Sequence, residues 1–118
     1  MNEAFQEYKD MPLWSYHQFI GSYLAKTDFK VVEQDILDAI EFHATGKDNM
    51  TTLQKIVYAA DKIDPLRGYD SSDLIKAMEQ GIDSGFETVL RANIDYIKEC
   101  GKNPSNKLTN SCINYYLK

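Results

Sequence analysis

The sequence predicts an all-α fold, and three observations carry that reading. Apolar residues recur at helical spacing along almost the whole chain. Strict alternation of apolar and polar residues never lasts long enough to argue for a strand. Residues that start and stop helices stand at the ends of the periodic stretches. At 118 residues with a 43% apolar share, the chain is expected to form one domain around one modest core.

The elements follow in order. A first short helix is expected over Glu3 to Lys9, ending before Pro12. A second starts near Ser15, a good N-cap, with Phe19, Ile20, Tyr23 and Leu24 as its inward stripe. A third runs from about Gln34 to His43, with Ile36, Leu37 and Ile40 facing the core and Gly46 placed to end it. The fourth has the clearest start: Thr51-Thr52-Leu53-Gln54 is a capping box, in which hydroxyl and carboxamide serve each other's backbone. Its stripe is Leu53, Ile56, Val57 and Ala60, and Pro65 ends it near Ile63 or Asp64. After the turn Gly68 to Ser72 comes a short helix carrying Leu74, Ile75 and Met78. The next spans about Ser84 to Cys100 with Phe86, Val89, Leu90 and Ile97, and Gly101 stops it. The turn Asn103-Pro104-Ser105 leads into a terminal helix ending near Leu117.

Charge narrows the function classes. Thirteen basic against eighteen acidic residues give a net −5, a field that repels a phosphate backbone and argues against nucleic acid. A small anionic ligand is not excluded, because one arginine or metal reverses the local potential. The two cysteines, Cys100 and Cys112, have neither disulfide-framework nor Cys-x-x-Cys spacing and read as free thiols. The N-terminus lacks the features of a signal peptide, and no apolar run approaches the roughly 18 residues of a membrane span. A cytoplasmic protein, with no membrane partner, is expected by elimination.

The informative residues break the stripes. His43 lies three residues after Ile40 and seven after Ile36, so it projects from an inward face. Asp61 lies four residues after Val57 and eight after Leu53, and also points inward. A buried carboxylate is costly unless it is paired or holds a metal; a salt bridge to Arg67 would explain it as well. His17 borders its own stripe, and Gly21 one turn on removes bulk, which suits either a ligand or close helix packing. Two imidazoles and a carboxylate suit a divalent metal or a phosphate-hydrolysing water. Pattern alone chooses no reaction.

The same residues carry a resemblance. Asp35-Ile36-Leu37-Asp38-Ala39-Ile40-Glu41-Phe42-His43-Ala44-Thr45-Gly46 resembles the D-I-L-x-A-I-x-(Y/F)-H-T-x-G stretch of the YqeK family. The segment from Met50 to Arg67 (Met50-Thr51-Thr52-Leu53-Gln54-Lys55-Ile56-Val57-Tyr58-Ala59-Ala60-Asp61-Lys62-Ile63-Asp64-Pro65-Leu66-Arg67) is similar to its M-T-x-L-(E/D)-K-I-(I/V)-Y-x-A-D-x-I-E-P-x-R. His17-Gln18-Phe19-Ile20-Gly21 matches H-x-P-V-G, with Phe19 at the family's usual proline. The match is specific over His17 to Tyr69 and loose beyond.

The resemblance implies an HD-domain-like helical bundle that cleaves diadenosine tetraphosphate symmetrically to two ADP, with a divalent metal, iron, as cofactor. It places Asp61 on a metal ligand and makes His17, His43 and Asp61 the catalytic set. It puts His17, His43, Ala44 and Arg67 against the nucleotide, together with a loop over Pro104, Ser105, Asn106, Lys107, Leu108 and Thr109. The family's first metal-binding histidine and its adjacent His-Asp pair have no counterpart here, since the chain contains no His-Asp dipeptide. Residues 1–118 are therefore expected to be a single, N-terminally truncated, partial HD-type phosphohydrolase domain with an incomplete metal site. Apolar faces left uncovered would favour a homo-oligomer. The alternatives are an inactive nucleotide-binding remnant and a helical interaction module without a ligand.

Overall fold

A computed structural model describes residues 8–64 and 70–117, and among them every regular element is a helix. A 3₁₀ turn over Leu13–Ser15 leads into α1 (Tyr16–Thr27). Then follow α2 (Gln34–Glu41), α3 (Thr52–Lys62), α4 (Ser72–Gln80), α5 (Ile82–Glu99) and α6 (Lys107–Tyr116). Helix α1 packs on α2, α2 on α3, and α3 on α5, while α4 folds back along α5. The expected helix over Glu3 to Lys9 lies largely outside the described residues.

One apolar core sits between α3, α5 and α6. Phe86, Val89, Leu90 and Cys112 are wholly buried, with Tyr58, Ala59, Met50 and Ile94 around them. The Phe86 ring meets Tyr58 and Tyr116 edge-on, at centroid separations of 5.3 and 5.0 Å, the geometry that aromatic quadrupoles favour. Of the expected stripe of α5, Phe86, Val89 and Leu90 form the centre of the molecule, while Ile97 is only half-buried and lies outside this core; the helix begins at Ile82 rather than Ser84.

Helix α3 starts as its capping box requires. The Thr51 hydroxyl accepts from Gln54 N, and the Gln54 carboxamide accepts from Thr51 N, both at 3.3 Å. The Thr51 hydroxyl also donates to Asp35 Oδ1 at 2.7 Å, which ties the α3 cap to α2.

Elsewhere three expectations need correction. Ser15 stands at the start of α1 but does not cap it; its hydroxyl donates back to Pro12 O at 2.6 Å and closes the 3₁₀ turn. Helix α2 stops at Glu41, two residues short of His43, because Phe42 leaves helical geometry. The chain turns over Phe42 to Gly46, where Gly46 N donates to Phe42 O at 2.8 Å. Gly46 has φ +73°, a conformation open chiefly to glycine, and a side chain there would collide with Cys112 Sγ.

The third correction concerns the stripes of α1 to α3. Ile20, Leu24, Ile36 and Ile56, expected to point inward, are each roughly 40% exposed. Phe19 on α1 and Leu37 on α2 are buried as expected, but the other buried residues are Gln18 and Ser22 on α1, Ala39 on α2, and Gln54, Tyr58, Ala59 and Lys62 on α3. These helices are rotated so that polar side chains reach the backbone of the turn between α2 and α3. That turn is where the candidate site forms.

Candidate active site

The turn carries His43, and three elements hold it. From α1, Gln18 is fully buried; its Oε1 accepts from Ala44 N at 2.9 Å and Thr45 N at 3.3 Å, and its Nε2 donates to Thr45 Oγ1 at 3.0 Å. From α3, the Lys62 ammonium, 3% exposed, donates to His43 O at 2.9 Å and Ala44 O at 3.1 Å. From α6, the buried Thr109 hydroxyl donates to Thr45 O at 3.2 Å. Backbone groups at a helix end lack intrahelical partners, and here side chains from three directions supply them.

His17, exposed on the first turn of α1, meets His43 across the top of this turn. Their Nε2 atoms are 3.0 Å apart. Each Nδ1 lies against a backbone carbonyl, His17 on Trp14 O at 2.9 Å and His43 on Ile40 O at 2.7 Å. A carbonyl only accepts, so each Nδ1 is the N–H, and the facing Nε2 atoms have one proton to share. Burial pushes the His43 pKa below its ordinary value, helped by His17 and Lys62 and opposed by the Ile40 carbonyl and Asp61. Burial thus disfavours placing that shared proton on His43 Nε2.

Asp61 stands at the last turn of α3 with its side chain about one-third exposed, paired through Oδ2 with Lys62 Nζ at 3.0 Å. A cavity of about 330 Å³ opens beside it, lined among others by His17, Ala44, Asp61, Lys62, Trp14 and Tyr96. His17 and Asp61 thus share one pocket, and His43 supports it through His17. Such a volume suits a small-molecule site.

Not every expected residue arrives there. Arg67, and with it the expected Asp61–Arg67 pair, lies outside the described residues. Pro104 to Thr109 do not line the cavity: Asn106 caps α6 by accepting from Thr109 N at 2.8 Å, and Lys107, Leu108 and Thr109 belong to that helix. Gly21 proves to be a packing glycine, since a side chain there would press on Ile40 Cγ2 at 3.3 Å. Three contributors went unread in the sequence. They are Gln18, Lys62 and Trp14, none of which falls on a stripe of the apolar pattern.

The donors among the described residues do not by themselves make a metal site. Among the described residues no three His, Cys, Asp or Glu side chains converge to hold an ion, and one Asp61 oxygen is already held by an ammonium group. A stable divalent site ordinarily needs three or four such donors.

Comparison with known proteins places this arrangement. No family model matches the sequence. Over 68 residues, 58% of this chain, it is 38% identical to the symmetrical bis(5'-nucleosyl)-tetraphosphatase of Bacillus subtilis, of which that stretch covers 36%. It is 35% identical over 60 residues to the enzyme of the same name from Halalkalibacterium halodurans, covering 51% of this chain and 32% of that one. The chain is thus similar to symmetrical bis(5'-nucleosyl)-tetraphosphatases over a little more than half of its own length. Its fold agrees with that likeness. A crystal structure from Clostridium acetobutylicum, of a protein described as a predicted HD superfamily hydrolase involved in NAD metabolism, superposes with a TM-score of 0.76 at 28% identity. The superposition covers 99% of this chain and 60% of that one. The all-α, HD-superfamily architecture expected for this tetraphosphatase relative is therefore present, and that architecture implies a divalent metal. The chain spans between about a third and about half of the length of the curated tetraphosphatases it matches. No helix of the described residues is long and apolar enough to cross a membrane.

Proposed function

We propose that this chain forms the phosphate-binding part of a hydrolase that splits diadenosine tetraphosphate symmetrically into two ADP, and that residues 1–118 act as one partial HD-type domain. The observation that carries the reading is the His17–His43 pair, 3.0 Å apart at Nε2 with both Nδ1 atoms on carbonyls, opening beside Asp61 on one cavity. The tetraphosphatase relatives supply the reaction.

In this reading the proton shared by the two Nε2 atoms is offered as a hydrogen bond to a phosphoryl oxygen when the phosphate chain enters, and returns to lie between the rings when product leaves. Lys62 fixes the His43 and Ala44 carbonyls, so the imidazole pair keeps its place when the phosphate chain enters. The Asp61 carboxylate is the group able to accept a proton from an attacking water. Arg67 adds a bidentate phosphate contact by resemblance, as Pro104 to Thr109 add contacts to the nucleotide. Iron is the metal the resemblance suggests, with Asp61 as one ligand. The described residues do not complete its site, and no step here runs through it.

Anaerobic incubation of the folded chain with diadenosine tetraphosphate and Fe(II) tests the reaction. ADP as sole product, lost in Asp61→Asn, is the expected result. ATP plus AMP would mean asymmetrical cleavage and sink the symmetrical reading.

A second reading is nucleotide binding without turnover, favoured by the Asp61–Lys62 pairing, which neutralises the carboxylate that chemistry would use. It predicts no ADP release but a rise in Tm with millimolar ADP. A folded chain showing neither turnover nor a shift would remove both readings, leaving a helical interaction module.

A further inference from the structure

The cavity beside Asp61 has two chemically different parts. His17, Asp61 and Lys62 form a polar end, while Trp14, Tyr96 and Ile97 form an aromatic and aliphatic wall. Trp14 is 44% exposed and Tyr96 37% exposed, so neither ring belongs to the core. An indole is the largest apolar side chain, and leaving its face in water is a cost that a flat ligand removes.

Trp14 is also fixed relative to the polar end. It lies in the 3₁₀ turn Leu13–Ser15, and the fully buried Ser15 closes that turn on Pro12 O. Its own carbonyl accepts the His17 Nδ1 proton at 2.9 Å. The residue that orients the imidazole through its backbone thus offers a stacking surface through its side chain. That bond ties the imidazole to the backbone from which the indole extends.

Electrostatics adds a reason for such a surface. The chain carries a net −5, and in the cavity itself Asp61 is offset by Lys62 and Lys102. Charge in the lining alone therefore does little to tell a nucleotide from a bare polyphosphate. A ligand with a flat heterocycle gains contact that costs no charge, and aromatic stacking on a base is sequence-tolerant because every base has a π-face.

We propose that Trp14 is the base-stacking residue of this pocket, holding the heterocycle of a nucleoside polyphosphate whose phosphates lie at His17. The assignment rests on the phosphate-site reading above and adds the part of the ligand that reading leaves open. It makes the pocket select nucleotides over inorganic polyphosphates of equal charge.

The chain has one tryptophan, so its fluorescence reports on Trp14 directly. ADP and inorganic pyrophosphate are titrated by calorimetry into wild type, Trp14→Phe and Trp14→Leu, and by fluorescence into wild type, which alone carries the indole. Every variant keeps the residue-14 carbonyl that anchors His17. The expected result is quenching by ADP but not by pyrophosphate. ADP affinity should fall roughly tenfold in Trp14→Leu, be largely retained in Trp14→Phe, and leave pyrophosphate affinity unchanged. ADP binding that is unaltered in Trp14→Leu, or weakened equally with pyrophosphate, overturns the stacking role and leaves the phosphate site standing. If wild type binds neither ligand, the phosphate-site reading falls and this one with it. Should Trp14→Leu fail to fold, the wild-type comparison decides: equal quenching by both ligands overturns the proposal.

Discussion

The interior of this molecule is built in two ways. Around α5 it is apolar: Phe86, Val89 and Leu90 are wholly buried and make contact with rings and aliphatic chains. Around the turn from Phe42 to Gly46 it is polar: Gln18, Thr45, Lys62 and Thr109 are nearly or fully buried and spend their hydrogen bonds on backbone groups. The apolar region tolerates small rearrangement, because dispersion and burial are non-directional. The polar region does not, since each bond fixes a distance and an angle. Stability is concentrated in the first region, and the placement of His43 and Ala44 depends on the second.

The largest effect should separate the apolar core from the apolar surface. Leu90→Ala removes a side chain with no exposure and is expected to cost about 2–5 kcal/mol, transfer and cavity terms together. Ile56→Ala removes one that is 40% exposed on the outer face of α3 and should cost less than about 1 kcal/mol. Urea unfolding of both variants makes the comparison. A cost at Ile56 approaching that at Leu90 would mean its face is covered in solution, as in a homo-oligomer, and concentration-dependent unfolding would then accompany it.

That contrast also explains which parts of the molecule were legible in the sequence. The α5 stripe reads correctly because its packing is apolar on one side only, so period and burial coincide. The Thr51–Gln54 cap reads correctly because capping is a local event within four residues. Helices α1 to α3 mislead because burial there follows hydrogen-bond demand: Gln18 goes inside to serve Ala44 and Thr45, while Ile20 stays out. No local pattern encodes a partner 26 residues away. The histidines and Asp61 stood out because polar residues beside apolar stripes are conspicuous. Their 3.0 Å meeting, and the role of Lys62 behind them, depend on tertiary contacts that periodicity cannot show.

The second test breaks the polar region without changing its volume much. Gln18→Leu leaves the Ala44 and Thr45 amides and the Thr45 hydroxyl short of a buried partner, a loss of about 1–3 kcal/mol. Its signature differs from a core cavity. The ring resonances of His17 and His43 should shift in NMR spectra of the folded variant, because the turn that sets their separation is no longer tied to α1. Leu90→Ala, at comparable destabilisation, should leave those resonances in place. Unmoved histidine signals in Gln18→Leu would show that Lys62 and Thr109 suffice to position the turn.

The smallest effect is a pH dependence, and its sign follows from which state holds the proton. Burial lowers the His43 pKa in the folded chain below its ordinary value of 6.5, which the unfolded chain retains. Between the two values the unfolded state binds more protons, so stability rises with pH through that window. The contribution is complete above about pH 6.5 and is lost as pH falls toward the folded-state value. The groups facing His43 act in both directions: His17 and Lys62 oppose its charging, while the Ile40 carbonyl and Asp61 favour it. All four remain in His43→Gln, so the difference between wild type and variant isolates the imidazole. Acidification from pH 7.5 to 5.5 should cost wild type more stability than His43→Gln, by less than either loss above. A wild type that resists acid better than the variant would mean that the proton is held between the two rings. The polar region would then gain stability from the same charge that the proposed reaction spends.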